Sequence, residues 1–137
     1  MLTEEILLAV PATHRLAECG NIQLGEVADE PFISLKPGYD LRDLTDQICR
    51  QAGFAPHIVY EVDEPAAIRG LVRAGLGVAF LPAASWRVVG EPDPVPLHIE
   101  APTCQRILRL AWRDDRYLSA AARQFRQFVI AYFARLP

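Results

Sequence analysis

The sequence predicts an α/β fold, and three observations support this prediction. First, apolar runs of strand length alternate with segments of helical spacing in the order βαβαβ, followed by ββα. Second, a chain of 137 residues with 51% hydrophobic and 23% charged residues has the composition of one globular domain with an adequate core. Third, the stretch LVRAGLGVAFLP (residues 71–82) passes from helical spacing through two glycines into an apolar strand, as the second half of a βαβ unit does.

The N-terminal part predicts two strands. Residues 5–10 form a nearly continuous apolar run that a proline ends, which is typical of a buried strand. Residues 11–30 mix polar and apolar side chains with glycine and asparagine, so we expect a connector with one helical turn. Residues 31–36 predict the second strand, because a Pro-Gly turn closes this apolar run.

The first helix is predicted to begin near Leu41, where apolar side chains start to recur at helical spacing. Asp40 is the expected N-cap. Asp43 then falls at the third helical position, where the helix dipole favours a carboxylate. Gly53 is expected just beyond the last turn, where a left-handed conformation commonly ends a helix.

The next three elements form the predicted βαβ unit. A strand over residues 57–62 leads into a helix over about residues 64–74 and then into a strand over residues 77–81. Either Asp63 or Glu64 is expected to cap the helix. Such a crossover makes the two strands parallel and places the helix on the face of the sheet.

Two glycines explain the tight passage from this helix to the next strand. Gly75 is expected to end the helix in the left-handed conformation. Gly77 is expected where close packing or a tight turn leaves no room for a side chain.

The C-terminal part predicts two strands and a helix. Residues 91–96 are rich in proline and predict a loop before a short strand over residues 97–101. Residues 106–112 alternate apolar and polar side chains, and this alternation predicts another strand. Ser119 is expected to cap a final helix over residues 119–135.

Composition excludes several classes of function for this chain. Fourteen basic and seventeen acidic residues give a net charge of −3, which provides no overall attraction to nucleic acid or an anionic membrane. No apolar run approaches the roughly 18–20 residues that a membrane span needs, and the first residues lack a secretory signal. Three widely spaced cysteines predict reduced thiols, so we expect a cytoplasmic protein.

The sequence predicts no catalytic residue, metal site or cofactor. Its three histidines are scattered, and the GxSxG, P-loop and GxGxxG motifs do not occur. The adjacent carboxylates Asp29 and Glu30, and likewise Asp114 and Asp115, are predicted to be solvated charges in turns.

Two loops are candidates for a ligand site. In an open α/β sheet, ligands bind at the carboxyl ends of parallel strands, where helix N-termini offer free N–H groups. Lys36 is a candidate charge partner for an anionic ligand. The alternative is that the acidic residues only cap their own helices, and their charge would oppose an anionic ligand. The candidates are Ser34, Lys36, Gly38, Tyr39 and Asp40 in one loop and Asp63, Glu64 and Pro65 in the other.

Several segments resemble one protein family. They are LAVPATHRLA (residues 8–17), AGFAPHIVYEV (52–62), LVRAGLGVAFLP (71–82) and LRLAWRDDRYLSAAARQFRQFV (108–129). Together they resemble the effector-binding region of LysR-type transcriptional regulators, in the family's order and over nearly the whole chain. The second and third segments in combination are the most specific feature.

The resemblance implies a type 2 periplasmic-binding-protein-like fold, with two lobes joined by two crossing strands and an effector in the cleft between them. On this template residues 12–97 are the complete second lobe, and residues 1–11 and 98–137 are crossing strands and a remnant of the first lobe. We expect a truncated domain without the winged helix-turn-helix, and an exposed apolar face on residues 106–112 and 119–135.

The function that the resemblance implies is effector sensing in transcription regulation, without enzymatic activity. The expected partners are a small-molecule effector, for which a carboxylate is a candidate, and further copies of the chain in a homo-oligomer. DNA would be bound only through the missing domain, and no membrane is expected. The implied ligand contacts are Ser34, Lys36, Gly38, Tyr39, Asp40, Val62, Asp63, Glu64, Leu81 and Pro82.

Two other functions remain open at this stage. One is an enzyme or solute-binding module on the same scaffold, similar to periplasmic-binding-like dehydratases that act on prephenate-type acids. The other is an interaction module that uses the exposed helix face. Peroxide sensing is not expected, because Asp40 stands where peroxide-sensing members carry a reactive cysteine, and only their resolving cysteine has a counterpart, Cys49.

Overall fold

A computed structural model describes residues 1–86 and 94–136, and it shows mixed α/β architecture. The strands are β1 (Leu2–Val10), β2 (Asn21–Gln23), β3 (Pro31–Leu35), β4 (His57–Val62), β5 (Ala79–Pro82), β6 (Val95–Ala101) and β7 (Gln105–Leu108). The helices are α1 (Asp40–Gln51), α2 (Pro65–Arg73) and α3 (Ala120–Ala134), with single 3-10 turns at Leu24–Val27 and Ala83–Trp86.

The chain divides into two compact units. The larger unit is Glu4–Arg106, and the smaller unit combines Met1–Thr3 with the segment from Ile107 onwards. The chain therefore passes between the units twice, once within β1 and once within β7.

The sheet of the larger unit is centred on β1. Strand β1 pairs antiparallel with β5 and β6, β2 pairs parallel with β6, and β7 also pairs with β1. Strand β3 pairs parallel with β4, and a parallel bridge joins Phe32 of β3 to Val78 at the entry to β5. The predicted crossover is confirmed, because β4 and β5 run parallel on either side of β3.

Two hydrophobic clusters form the core of the larger unit. The first surrounds Phe32, whose ring stacks on Phe80 with 5.8 Å between centroids. The second lies beneath α2 and includes Ile33, Ile68 and Val72. Helix α2 packs here because its apolar positions fall on one face, and burying that face supplies most of the stability of so short a helix.

The predicted glycine positions are confirmed. Gly53 and Gly75 follow α1 and α2 with φ of +93° and +80°, the left-handed conformation that ends a helix. Gly77 lies against β3. A Cβ atom at this position would be 2.7 Å from the carbonyl oxygen of Pro31, so close packing is the reason for glycine.

The predicted cap of α1 needs correction, whereas Glu64, one of the two residues predicted to cap α2, is confirmed as its N-cap. Tyr39 is the N-cap of α1, so Asp40 is the first helical residue and Asp43 stands one position later than predicted. Glu64 is the N-cap of α2, with Pro65 at the first helical position, and neither cap side chain accepts a hydrogen bond from the helix. The prediction for α3 is confirmed, because the Ser119 hydroxyl accepts from the Ala122 N–H at 3.1 Å.

Several strand predictions also need correction. Strand β1 begins at Leu2 rather than residue 5, because residues 2–4, which alternate between exposed and more buried positions, also belong to the strand. The short strand β2 was not predicted, since three residues are too few to establish a pattern. Strand β7 ends at Leu108, well short of residue 112. The predicted loop 91–96 lies partly outside the described residues, and its last two positions already belong to β6.

The smaller unit leaves its apolar side chains exposed. Helix α3 has no buried residue among those described, and the side chains of Phe125 and Phe128 are 65% and 64% exposed. Leu110 and Trp112 are also exposed. The predicted exposure of an apolar face is therefore confirmed. In the described part of the chain, no helix is both long and apolar enough to cross a membrane.

Candidate functional site

The carboxyl ends of three parallel strands form the edge where the sequence predicted a ligand site. We call this edge, from Ser34 to Asp40, Val62 to Glu64 and Leu81 to Pro82, the strand-end ledge. The pairing of Leu35 with Val62 aligns the ends of β3 and β4, and the Lys36 N–H donates to the Val62 carbonyl at 3.0 Å. The structure therefore brings the first two predicted loops together.

An ion pair joins these two loops. The Lys36 Nζ donates to Asp63 Oδ2 at 2.9 Å, and both side chains are more than half exposed. The hydrogen bond and charge of Asp63 raise the pKa of Lys36 above its ordinary value of 10.5. Asp63 is therefore not a helix cap, and the alternative that the acidic residues only cap their helices is wrong for this residue.

The turn between β3 and α1 carries the other residues of the first loop. Gly38 has φ of +101°, which only glycine adopts without strain. Tyr39 and Asp40 follow it and are exposed, while Ser34 on β3 is partly buried. Because the Tyr39 side chain does not bind its helix, the first N–H groups of α1 have no side-chain partner, whereas in α2 Pro65 has no N–H and the Ala67 N–H donates to the Glu64 carbonyl at 3.1 Å.

The end of β5 differs from the other two strand ends. Leu81 is fully buried and belongs to the cluster beneath α2, and Pro82 is also buried. The surface at this end is instead formed by Ala83 and Ala84, of which Ala84 is exposed. The end of β5 lies at the predicted edge, but its side chains are buried there rather than exposed.

Two charged residues near the ledge were not predicted. Arg42 donates to the Leu35 carbonyl and to Asp46 Oδ2, each at 2.9 Å, and so fixes the start of α1 to the end of β3. The spacing of Arg42 and Asp46, four positions apart on a helix, is a signal that could have indicated this pair.

Glu4 is the second of these residues, and it is only 8% exposed. Its Oε1 accepts from the Ala84 N–H at 3.0 Å and its Oε2 from the Arg106 Nε at 2.6 Å. The carboxylate therefore joins β1 and β7 to the turn that follows β5. No sequence spacing indicated this contact, because its partners lie 80 and 102 residues away.

A small cavity lies behind the ledge. It has a volume of about 20 Å³ and is lined by Phe32, Leu41, Thr45 and Ile58, among others. That volume holds about one water molecule and excludes an organic ligand. A ligand at this edge of the larger unit would therefore bind on the open ledge.

The buried cysteines are not suited to thiol chemistry. Burial raises the pKa of Cys49 to about 12 and that of Cys104 to about 11, so both thiols stay protonated at neutral pH. Both belong to the core cluster around Phe32, whereas Cys19 is exposed. Redox sensing is disfavoured for two reasons: position 40 carries an aspartate instead of a reactive cysteine, and the Cys49 thiol is buried and protonated.

Other charged residues have structural partners. His14 Nε2 lies 2.8 Å from Glu30 Oε1, so Glu30 is not the free turn charge that the sequence predicted. Asp115 does remain exposed in its turn, where it pairs with Arg113. Within residues 1–86 and 94–136, no group of three or more histidine, cysteine or acidic side chains is placed to hold a metal ion.

Comparison with known proteins identifies similar domains. The family model described as the LysR substrate binding domain matches residues 1–134. The Bacillus subtilis regulator YybE, an uncharacterized HTH-type transcriptional regulator, is 37% identical over 132 residues, which are 96% of this chain and 44% of YybE. The transcriptional dual regulator GltC of the same organism is 34% identical over 136 residues, covering 99% of this chain and 45% of GltC.

A solved structure gives the same result for the fold. The effector binding domain of QuiR in complex with shikimate has a TM-score of 0.82 and 27% identity, and the match covers 95% of this chain and 61% of that domain. This likeness confirms the predicted fold class, α/β of the type 2 periplasmic-binding-protein-like kind. The chain spans less than half the length of both curated relatives.

Proposed function

The chain belongs to the family of LysR substrate-binding domains, and on that premise we propose that it binds a small-molecule effector as the regulatory part of a LysR-type transcriptional regulator. The observation that carries the proposal is the close structural match to a domain that holds shikimate, an organic acid. The curated relatives are transcriptional regulators, and nothing in the geometry of the ledge provides a nucleophile with its base. The proposed role is therefore sensing rather than catalysis, in the cytoplasm, where a DNA-binding regulator works.

The ledge supports a carboxylate as the effector group. Lys36 supplies an ammonium, and the first N–H groups of α1 supply donors that favour a negative charge. An incoming carboxylate would compete with Asp63 for Lys36, and the released Asp63 could accept a hydrogen bond from an effector hydroxyl. The proposed contacts are Ser34, Lys36, Gly38, Tyr39, Asp40, Val62, Asp63, Glu64, Leu81 and Pro82.

The proposed arrangement in the full-length regulator follows the family template. Residues 12–97 would form one complete lobe, and residues 1–11 and 98–137 would supply crossing strands and part of the other lobe. DNA would be bound by a winged helix-turn-helix outside this chain. The exposed aromatic side chains of α3 support homo-oligomer formation, because an apolar patch of this kind is usually covered by another surface.

The test uses the fact that Lys36 is the only lysine in the chain. Reductive ¹³C-methylation labels Lys36 and the N-terminal amine alone, so one NMR signal reports the ledge directly. Shikimate and a panel of other organic acids are then titrated. We expect at least one acid to shift the Lys36 signal, with saturation.

Two variants of the ion pair make the test specific. Measured by isothermal titration calorimetry, which needs no lysine label, Lys36→Ala should weaken binding of that acid about tenfold, the usual effect of losing one charge-assisted hydrogen bond. Asp63→Asn should strengthen it, because the competing carboxylate is removed. Both residues are exposed, so neither change should lower the melting temperature much. Acid binding that is equal in both variants would contradict the proposed role of Lys36.

A further inference from the structure

Charge is distributed unevenly along this chain. From Ile107 onwards the sequence contains six arginines and two aspartates, a formal charge of +4. The preceding 106 residues contain eight basic and fifteen acidic side chains, a formal charge of −7. The net charge of −3 therefore conceals a basic C-terminal segment whose field attracts anions.

Four of the six arginines line one pocket in the smaller unit. The pocket has a volume of about 270 Å³ and is formed by the segment 113–118 and the first two turns of α3. That volume corresponds to about nine water molecules, enough for a phosphate with a small organic group. The arginines are Arg113, Arg116, Arg123 and Arg126.

The two aspartates of this segment are already engaged. Arg113 forms a two-pronged pair with Asp115, at 3.0 Å and 2.6 Å, and this contact lowers the pKa of Asp115. Asp114 accepts from the Trp112 Nε1 at 2.9 Å. Asp115 is therefore paired, whereas Asp114, whose indole partner is neutral, keeps its charge beside the arginines of the pocket.

The remaining pocket arginines lack a carboxylate partner. Arg126 lies over the ring of Trp112, 4.8 Å from its centroid, which holds the guanidinium in place and leaves its N–H edges free to donate. Arg116 and Arg123 form no ion pair with any residue in the described part of the chain. Both are exposed, so they are accessible to a dissolved anion.

The position of Arg123 makes this excess of positive charge unusual. It closes the first turn of α3, where the helix dipole favours a negative group, and no acidic residue occupies that turn. A cation near a helix N-terminus is unfavourable by itself, and a bound anion would offset both the dipole and the arginines.

We propose that this arginine pocket is a binding site for a phosphate group, separate in its residues from the strand-end ledge. The guanidinium fork matches two phosphate oxygens at once, so Arg116, Arg123 and Arg126, which hold no carboxylate, can each form paired hydrogen bonds. Four arginines and two aspartates leave a local charge of +2. A phosphomonoester carries about −1.5 to −2 at neutral pH and neutralises this charge, whereas a monocarboxylate neutralises only half of it.

The experiment is isothermal titration calorimetry of the whole chain with inorganic phosphate and with pyrophosphate, at constant ionic strength. The variant R116Q/R123Q should bind phosphate at least about tenfold more weakly. The control variant R109Q/R135Q removes the same two charges from the same unit but outside the pocket, and it should bind as the wild type does. The charge-preserving variant R116K/R123K should show an intermediate loss, because lysine lacks the fork.

Three results would overturn the proposal. They are an absence of phosphate binding by the wild type, equal losses in the two glutamine variants, and acetate binding as tight as that of phosphate. Far-UV circular dichroism checks that the variants remain folded. The comparison of R116Q/R123Q with R109Q/R135Q involves no residue of the ledge, so this result does not depend on effector sensing there.

A further titration distinguishes two sources of the phosphate group. Duplex DNA of random sequence is added to the wild type and to R116Q/R123Q. DNA binding that requires these arginines, and that inorganic phosphate competes away, would identify the phosphodiester backbone as the source. Binding of free phosphates without DNA would identify a phosphorylated small molecule. Either outcome supports the phosphate site.

Discussion

Replacing Gly77 with alanine should strongly destabilise the larger unit. The added Cβ would lie 2.7 Å from the Pro31 carbonyl oxygen and 3.2 Å from Ile33 Cγ1. The Pro31 oxygen also accepts from the Val78 N–H at 2.9 Å, and the Ile33 N–H donates to the Val78 carbonyl at 2.9 Å. The methyl group therefore pushes apart the two strands whose hydrogen bonds attach β5 to β3.

The magnitude follows from these contacts. Overpacking of this kind costs about 1–3 kcal/mol, and weakening one backbone hydrogen bond adds about 0.5–1.5 kcal/mol. We expect the free energy of unfolding to fall by about 2–4 kcal/mol, a large part of the roughly 5–15 kcal/mol that a domain has.

Gly70 provides the matched control. It lies within α2, and a Cβ at this position would meet no atom within 4 Å. Gly70→Ala should therefore stabilise the chain by about 0.5–1 kcal/mol, because alanine favours the helix. The same chemical change thus has opposite signs at two positions seven residues apart.

Urea denaturation followed by tryptophan fluorescence measures both effects. Each unit contains one of the two tryptophans, Trp86 in the larger and Trp112 in the smaller. A Trp112→Phe background makes the fluorescence report the larger unit alone, and an unchanged m-value shows that midpoints can be compared. If Gly77→Ala proves as stable as Gly70→Ala, the packing argument for Gly77 is wrong.

Three other predictions follow from features of the same structure. Glu4→Ala should cost about 2–4 kcal/mol in urea denaturation, because it removes a buried carboxylate and leaves the Ala84 N–H and the partly buried Arg106 without their partner; a cost below about 1 kcal/mol would contradict this. In the native protein, Cys19 should react with a thiol reagent while Cys49 should not. Labelling of Cys49 in the native protein would refute this. Because burial raises the pKa of Cys49 from 9.0 to about 12, the free energy of unfolding should fall as the pH rises above 9, where only the thiol of the unfolded chain ionises. Phe128→Asp should reduce concentration-dependent self-association in analytical ultracentrifugation, and a wild type that stays monomeric at all concentrations tested would refute the prediction.

Local pattern was enough to predict much of the fold. The helical spacing of α1 and α2, the βαβ crossover and the roles of three glycines depend on neighbours within one turn or one tight connection. Such features are visible in sequence because each residue type has a direct backbone consequence. The cap of α1 was misplaced by one residue, since an aspartate is favourable both as a cap and in the first turn.

The candidate site was predictable only in part. Parallel strands made it possible to predict which loops meet, and Lys36 indeed lies beside Val62 and Asp63. Burial at Leu81 depends on helix α2 packing over the strand, and the contact of Glu4 depends on residues at the other end of the chain. Contacts of that kind arise from tertiary packing, which no local spacing encodes.

The way in which the chain leaves and re-enters the larger unit has a consequence for protein engineering. The first and last residues of that unit, Glu4 and Arg106, form a salt bridge with each other. Next to it, the Ile6 N–H donates to the Cys104 carbonyl at 2.9 Å. Its two ends therefore lie side by side on adjacent strands, as they do in domains that tolerate insertion into a host loop. Residues 4–106 could be excised as a transplantable cassette, with cuts within β1 and β7, or closed into a ring by a short linker and given new termini elsewhere.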